Sequence, residues 1–248
     1  MRFTNRAGAI VFAAAITWAV PAAADWKGKA EAGLVIASGN TETETANAKL
    51  KFSNEIGKWK HTLGGAGLYA TDQGDQSAQR WEVSEQTDYN FNPRTFWFGA
   101  LRYEEDEFSG FEYQAIVSTG IGRRFIDTDV TKFVGTAGVG YKTLETRDTF
   151  DDLTGALIAQ GERNSDITFR GTLDFEHSFT ETTKIIDAFI VEYGETNTYA
   201  QNDLSLQVRM NSVLALSVGY SVRHNTDPPL GFEKTDTLTT INLVAEIK

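Results

Sequence analysis

The sequence predicts an all-β protein: a closed antiparallel transmembrane β-barrel of about twelve strands, with short turns at one end and longer loops at the other. Three observations predict it. Apolar residues recur at every second position in segment after segment, turn residues interrupt these segments about every 18 residues, and aromatic residues gather near segment ends rather than centres. No stretch after the N-terminal run holds 18 uncharged apolar residues, which excludes membrane-crossing helices. Strands with one apolar face average to a polar-looking sequence and are not excluded.

The N-terminus places Arg2 and Arg6 ahead of an apolar run from Ala7 to Val20, then Pro21 and Ala22-Ala23-Ala24. This pattern predicts a secretory signal peptide over 1–24, too short to be a membrane anchor, and one barrel domain over 25–248. Removing the leader takes away two arginines and no acids, so the formal charge moves from −11 to −13. That acidic balance argues against nucleic-acid binding, which needs clustered Lys and Arg. The chain has no cysteine, so an exported protein draws its stability from the sheet and not from disulfides.

Strands are predicted near 26–38, 45–56, 59–71, 80–91, 95–104, 111–125, 132–144, 166–179, 183–194, 198–210, 213–224 and 235–247. The second competes with a helix, because Thr41 and Glu44 fit a capping box. Ala46, Ala48, Leu50 and Phe52 nevertheless alternate with Asn47, Lys49, Lys51 and Ser53, and period two outweighs a two-residue cap signal. In the fourth, Trp81, Val83, Thr87, Tyr89 and Phe91 oppose Arg80, Glu82, Ser84, Gln86 and Asp88. In the eighth, Ile167, Phe169, Leu173 and Phe175 oppose Asp166, Thr168, Arg170, Thr172 and Asp174. In the tenth, Leu204, Leu206, Val208 and Met210 oppose Asp203, Ser205, Gln207 and Arg209. The segment 183–194 is apolar on both parities, so its faces stay open.

Connections after even-numbered strands are short, as at Gly57-Lys58 and Asn211-Ser212; those after odd-numbered strands are mostly longer, including "TDQGDQSAQ", "EEDEFSG" and the stretch from Glu145 to Asp166. Aromatic pairs six to twelve residues apart lie roughly 15 to 30 Å apart along a tilted barrel, bracketing the ~25 Å apolar band between interfacial girdles. The apolar parity therefore faces lipid. Lys49, Lys51, Glu82, Asp88, Arg170, Asp174, Asp203 and Arg209 are predicted to line the lumen, either as a salt-bridged plug or as the wall of a narrow pathway. The acidic run Glu104, Glu105, Asp106 and Glu107 is predicted on a loop, as a solvating, cation-binding or cation-steering patch.

No enzymatic constellation emerges, and neither catalytic residues, metal ligands nor a cofactor are predicted. "GTAGVGYKT" from Gly135 misses the phosphate-loop pattern because Tyr141 interrupts it, and "GAGLYA" at 65–70 is half a dinucleotide fingerprint on a strand. His177 and His224 read as interfacial packing residues.

The opening Trp26-x-Gly28, "ASGNTETETAN" from Ala37, "YSVRHNTDPP" at 220–229 and "KTDTLTTINL" at 234–243 resemble the salt-induced outer membrane protein family, an uncharacterised bacterial domain family. The resemblance covers essentially the whole mature chain. It implies a barrel in the outer membrane of a Gram-negative cell, with outer-membrane lipid, lipopolysaccharide and the barrel-insertion machinery as partners and no activity to carry over. The chain departs from such barrels at its end, where Lys248 stands in place of an aromatic residue. The function expected is a passive small-solute or ion pore, or a barrel supporting the envelope under salt or osmotic stress. The alternatives are a lipid-modifying enzyme and a surface structural or adhesion barrel.

Overall fold

The computed structural model of the chain describes residues 26–37, 43–73, 75–107, 109–151, 154–229 and 232–247. The expected signal peptide, the tip of the first hairpin with Thr41, and Lys248 lie outside the described residues. The strands are β1 Lys27–Ala37, β2 Thr43–Ile56, β3 Trp59–Asp72, β4 Asp75–Asn90, β5 Thr95–Asp106, β6 Phe111–Asp127, β7 Thr131–Thr146, β8 Thr149–Phe150, β9 Leu157–Ala159, β10 Arg163–Ser178, β11 Thr183–Tyr193, β12 Tyr199–Arg209, β13 Leu214–Asn225 and β14 Thr235–Ile247. Twelve of them form a closed antiparallel barrel; β8 and β9 make a separate two-stranded ribbon in the excursion between β7 and β10. Pairing of β1 with β14 closes the ring, so no backbone edge is left to lipid.

Every predicted strand is present, with ends within a few residues except at the loop side. "TDQGDQSAQ" was expected to be a long loop, but β3 and β4 stay paired as far as Asp72 and Asp75. Gln73 turns the chain there at φ 52°. Above the lipid, hairpin strands keep satisfying each other's backbone groups, so the ladder continues where apolar alternation has already stopped. The same extension converts the expected loop at 104–106 into the end of β5.

The barrel carries its apolar residues outside. Ile167 is 73% exposed and Val117 66%, values that only a lipid environment makes favourable across a continuous belt. On β3, the outward Trp59 and Tyr69 are ten residues apart, or about 25 Å along an axis tilted ~40° to the strand, which matches the apolar band. At the short-turn end the girdle consists of two runs of touching rings: Trp59 meets Tyr89 at 4.8 Å in one, and in the other Phe125 meets Phe133 at 5.3 Å and His177 meets Phe179 at 5.1 Å. At the loop end Trp81, Tyr103 and Tyr113 form its counterpart, with centroids 5.3 and 5.9 Å apart.

Inside, part of the wall is filled by aromatic residues. Phe96 and Phe98 point inward and are buried. Gly122 and Gly120 on the neighbouring strand make room for them, since a Cβ on Gly122 would overlap the Phe96 ring. Arg124 and Arg170 cover the two rings at 4.7 and 5.8 Å. At the loop end Gly110, at φ 78°, lies against Pro229 and Phe232, and a cavity of about 140 Å³ lined by Phe111, Asn197 and Asp227 sits beneath them.

Candidate functional site

Strand parity decides which charges meet inside the barrel. Glu82 on β4, Arg102 and Glu104 on β5, Lys142 on β7, Glu192 on β11, Tyr199 on β12 and Arg223 on β13 all point inward, from opposite sides of the ring. Arg102 bridges two carboxylates, donating to Glu192 Oε2 at 2.7 Å and to Glu104 Oε2 at 3.2 Å. Arg223 donates to the same Glu104 oxygen at 3.1 Å and to Glu82 Oε2 at 3.2 Å. Lys142 Nζ is 3.4 Å from Glu192 Oε2, an ion pair without a hydrogen bond. The Tyr199 ring lies among the three cations, 4.7 Å from Arg102, 5.3 Å from Lys142 and 5.9 Å from Arg223. Its hydroxyl donates to Gln201.

These groups are almost wholly withdrawn from solvent: side-chain exposure is 0% for Glu192, 1% for Lys142 and 2% for Glu104. They lie near the loop-side ends of their strands, so the network crosses and closes that half of the lumen. Several of its polar atoms have no protein partner, including Arg102 Nε, Arg223 Nε and Glu192 Oε1. The short-turn half is different. Lys49 pairs with Asp203 at 3.2 Å near mid-barrel, Lys184 lies 3.5 Å from both Glu176 and Glu246 at the short-turn end, and these side chains remain a fifth to two-fifths exposed. The short-turn half of the lumen is filled as well, by Phe96, Phe98, Gln207, Ser217 and Val244, so the two halves differ in how exposed their ion pairs are.

The predicted lumen residues fall on both parts. Lys49 and Asp203 join β2 to β12 across the lumen, Glu82 belongs to the buried network, and Arg170 covers Phe98. Asp88 is buried and accepts from Gln86 at 2.8 Å, while Arg209 reaches the Glu181 carbonyl at the rim. Lys51 and Asp174 stay exposed.

The acidic run needs correcting. Glu104 is in a strand, points inward and is neutralised by two arginines, because β5 stays in register with β4 as far as Asp106. Glu105 points outward, accepting from Trp81 Nε1 at 3.0 Å and the Tyr103 hydroxyl at 2.7 Å. Only Glu107 lies in a turn, where Gln76 and Gln79 donate to it. The four acids therefore do not form one loop patch.

Arg102, Lys142, Glu192 and Arg223, the strongest members of the network, were not picked out from the sequence. A signal was present: each is a charged residue at an inward parity within an otherwise regular strand. Glu192 was hidden because 183–194 is apolar on both parities. Its faces are settled by Tyr193, 62% exposed, and Glu192, fully buried. "GTAGVGYKT" and "GAGLYA" lie within β7 and β3.

Residues 30–247 match the family described as a protein of unknown function, DUF481. The chain belongs to that family. This agrees with the resemblance drawn from Trp26, Gly28 and the two C-terminal motifs. Among curated relatives, the DUF481 chain is 23% identical to the uncharacterized protein YdiY of Escherichia coli (strain K12), over 88% of this chain and 82% of that one. Among solved structures it resembles the porin NanC, with a TM-score of 0.50 and 10% identity, covering 90% of this chain and 99% of that one. It also resembles the translocator domain of the autotransporter NalP from Neisseria meningitidis, with a TM-score of 0.48 and 9% identity over 90% and 87% of the two chains. The DUF481 barrel thus has the fold of an outer-membrane porin.

Proposed function

We propose that this barrel sits in the outer membrane and is a narrow passive pathway for ions and small solutes, closed at rest in its loop-side half by the Arg102–Glu192–Lys142 and Arg223–Glu104–Glu82 network. The observation that carries this reading is the chemistry of the closure. Replacing a buried ion network by well-packed apolar residues is often neutral or stabilising, so a barrel that only needed filling has no use for three buried cations and three carboxylates. Charged groups that can re-pair with water and passing ions suit a wall that opens.

Salt or osmotic stress fits the same reading. Part-exposed pairs such as Lys49–Asp203 weaken as ionic strength rises, whereas the buried set is screened far less, so salt acts first on the exposed pairs. A second reading, a barrel that supports the envelope without conducting, is favoured by the near-complete burial of the constriction. Short turns face the periplasm in this kind of barrel, which turns the Tyr103–Tyr113 end toward lipopolysaccharide.

Single-channel recording of the refolded protein in planar bilayers separates the two. A pathway gives small, brief openings that become larger or longer in Arg102→Ala and Glu104→Ala variants. Silence in the wild type and in both variants overturns the pathway and leaves the supporting barrel.

A further inference from the structure

The outer wall carries a polar site where lipid contact demands apolar side chains. Cross-strand pairing sets Asn54 opposite His61 and His61 opposite Thr87, all on the face shared with Trp59, Leu63 and Tyr89. His61 Nδ1 is 2.8 Å from Thr87 Oγ1, and the Thr87 hydroxyl donates to Glu85 Oε1 at 2.6 Å. Glu85 Oε1 is itself 3.9 Å from His61 Nδ1. His177 and His224 make the same cross-strand contact to Thr131 and Thr235 at 2.8 Å, but no ion pair to a carboxylate is described for either.

The depth of the site is informative. Trp59 and Tyr89 mark the short-turn girdle; His61 and Thr87 lie two residues further in, and Glu85 four from Tyr89, or about 5 and 10 Å below the girdle at ~3.3 Å per residue and ~40° tilt. Girdle rings sit at headgroup level, so this is where the glycerol esters of the lipid begin. Ionisable groups at such a position mark a functional site by default. Nδ1 of His61 is engaged, which leaves Nε2 for an external partner. Lys58, in the exposed turn above, extends over the Tyr89 ring at 5.9 Å. Deeper along the wall, Gly65 lies between Leu50 and Val83 and Gly67 between Ala48 and Trp81, so the two glycines leave a shallow groove one strand wide.

We propose that this surface binds one diacyl phospholipid of the short-turn-side leaflet. Lys58 takes the phosphate, and His61 Nε2 accepts from a water that donates its other hydrogen to an ester carbonyl. Glu85 and Thr87 hold the imidazole, and an acyl chain lies in the groove at Gly65 and Gly67, between Leu50 and Val83. A phospholipid presents acceptors at these two depths and apolar chains below them, which matches the order of groups on the wall. The proposal depends on the barrel spanning a lipid bilayer and not on whether its lumen conducts.

The test is native mass spectrometry of the full chain, transferred into micelles doped with dioleoyl phosphatidylethanolamine. The wild type is expected to retain one phospholipid. His61→Leu and Lys58→Ala are expected to lower the retained fraction at least tenfold, with heat-modifiable gel mobility unchanged. Lys58 lies in an exposed turn, so its variant reads the site even if His61→Leu does not fold. Glu85→Gln, which still accepts from Thr87, is expected to retain lipid where Glu85→Leu loses it. Equal retention by wild type and Lys58→Ala overturns the proposal, as does displacement of the lipid signal by inorganic phosphate alone. Release of free fatty acid abolished by Thr87→Val also overturns it, because the site would then be hydrolytic.

Discussion

Replacing Glu192 by Gln tests the constriction at its most buried point. The substitution keeps shape and a carbonyl acceptor and removes one negative charge. Glu192 has no exposed side-chain surface, and it is the one carboxylate within ion-pair distance of Lys142 among the described residues, whereas Arg102 keeps Glu104. Breaking a buried pair by removing one partner typically costs about 3–5 kcal/mol, because the other charge is left uncompensated. Here the cost falls chiefly on Lys142, itself 1% exposed. Urea unfolding of the refolded barrel in lipid vesicles should show this loss in Glu192→Gln. Lys142→Met alone should cost less, since Glu192 retains Arg102 at 2.7 Å. The double variant should recover part of the loss, giving a coupling of about 1–3 kcal/mol between the two sites. A single variant within about 0.5 kcal/mol of wild type, the range of ordinary surface changes, refutes the assignment of Glu192 as the counter-charge of Lys142.

Other outcomes follow from the same geometry. Gly122→Ala should destabilise by about 1–3 kcal/mol through overlap with the Phe96 ring, and Phe96→Leu in the same chain should recover part of it in the same unfolding assay. Phe169→Arg, on the lipid face at 63% exposure and well inside the girdles, should cost about 2–4 kcal/mol in vesicles; an unchanged midpoint contradicts the placement of that face in lipid. Lys49→Ala removes a pair whose lysine is 42% exposed, so stability should change by less than about 1 kcal/mol, while the dependence of conductance on ionic strength changes measurably.

Much of this was legible without coordinates. Trp81, Val83, Leu204, Leu206, Ile167 and Phe169 are where alternation put them, on the outer face, and Lys49, Asp203 and Glu82 point inward. Loop-side strand ends were not legible, because above the lipid the two faces of a strand meet the same solvent and the alternation that marks a strand is lost. Glu104 was misplaced for this reason: a run of four acids reads as solvated, yet its first member is held inside by Arg102 and Arg223. Partnership was the other gap. Arg102 and Glu192 are 90 residues apart in sequence and 2.7 Å apart in space, and His61, Glu85 and Thr87 meet only because β3 and β4 pair in one particular register.

By itself the sequence determined the architecture, since a period of two, girdle spacing and turn placement are local properties that each segment carries alone. Only the closed barrel decided which charges became partners, which of them are buried and which polar groups share the outer face. Those outcomes depend on the register and closure of twelve strands together, and a shift of one residue in any of them would turn its charges to the other face.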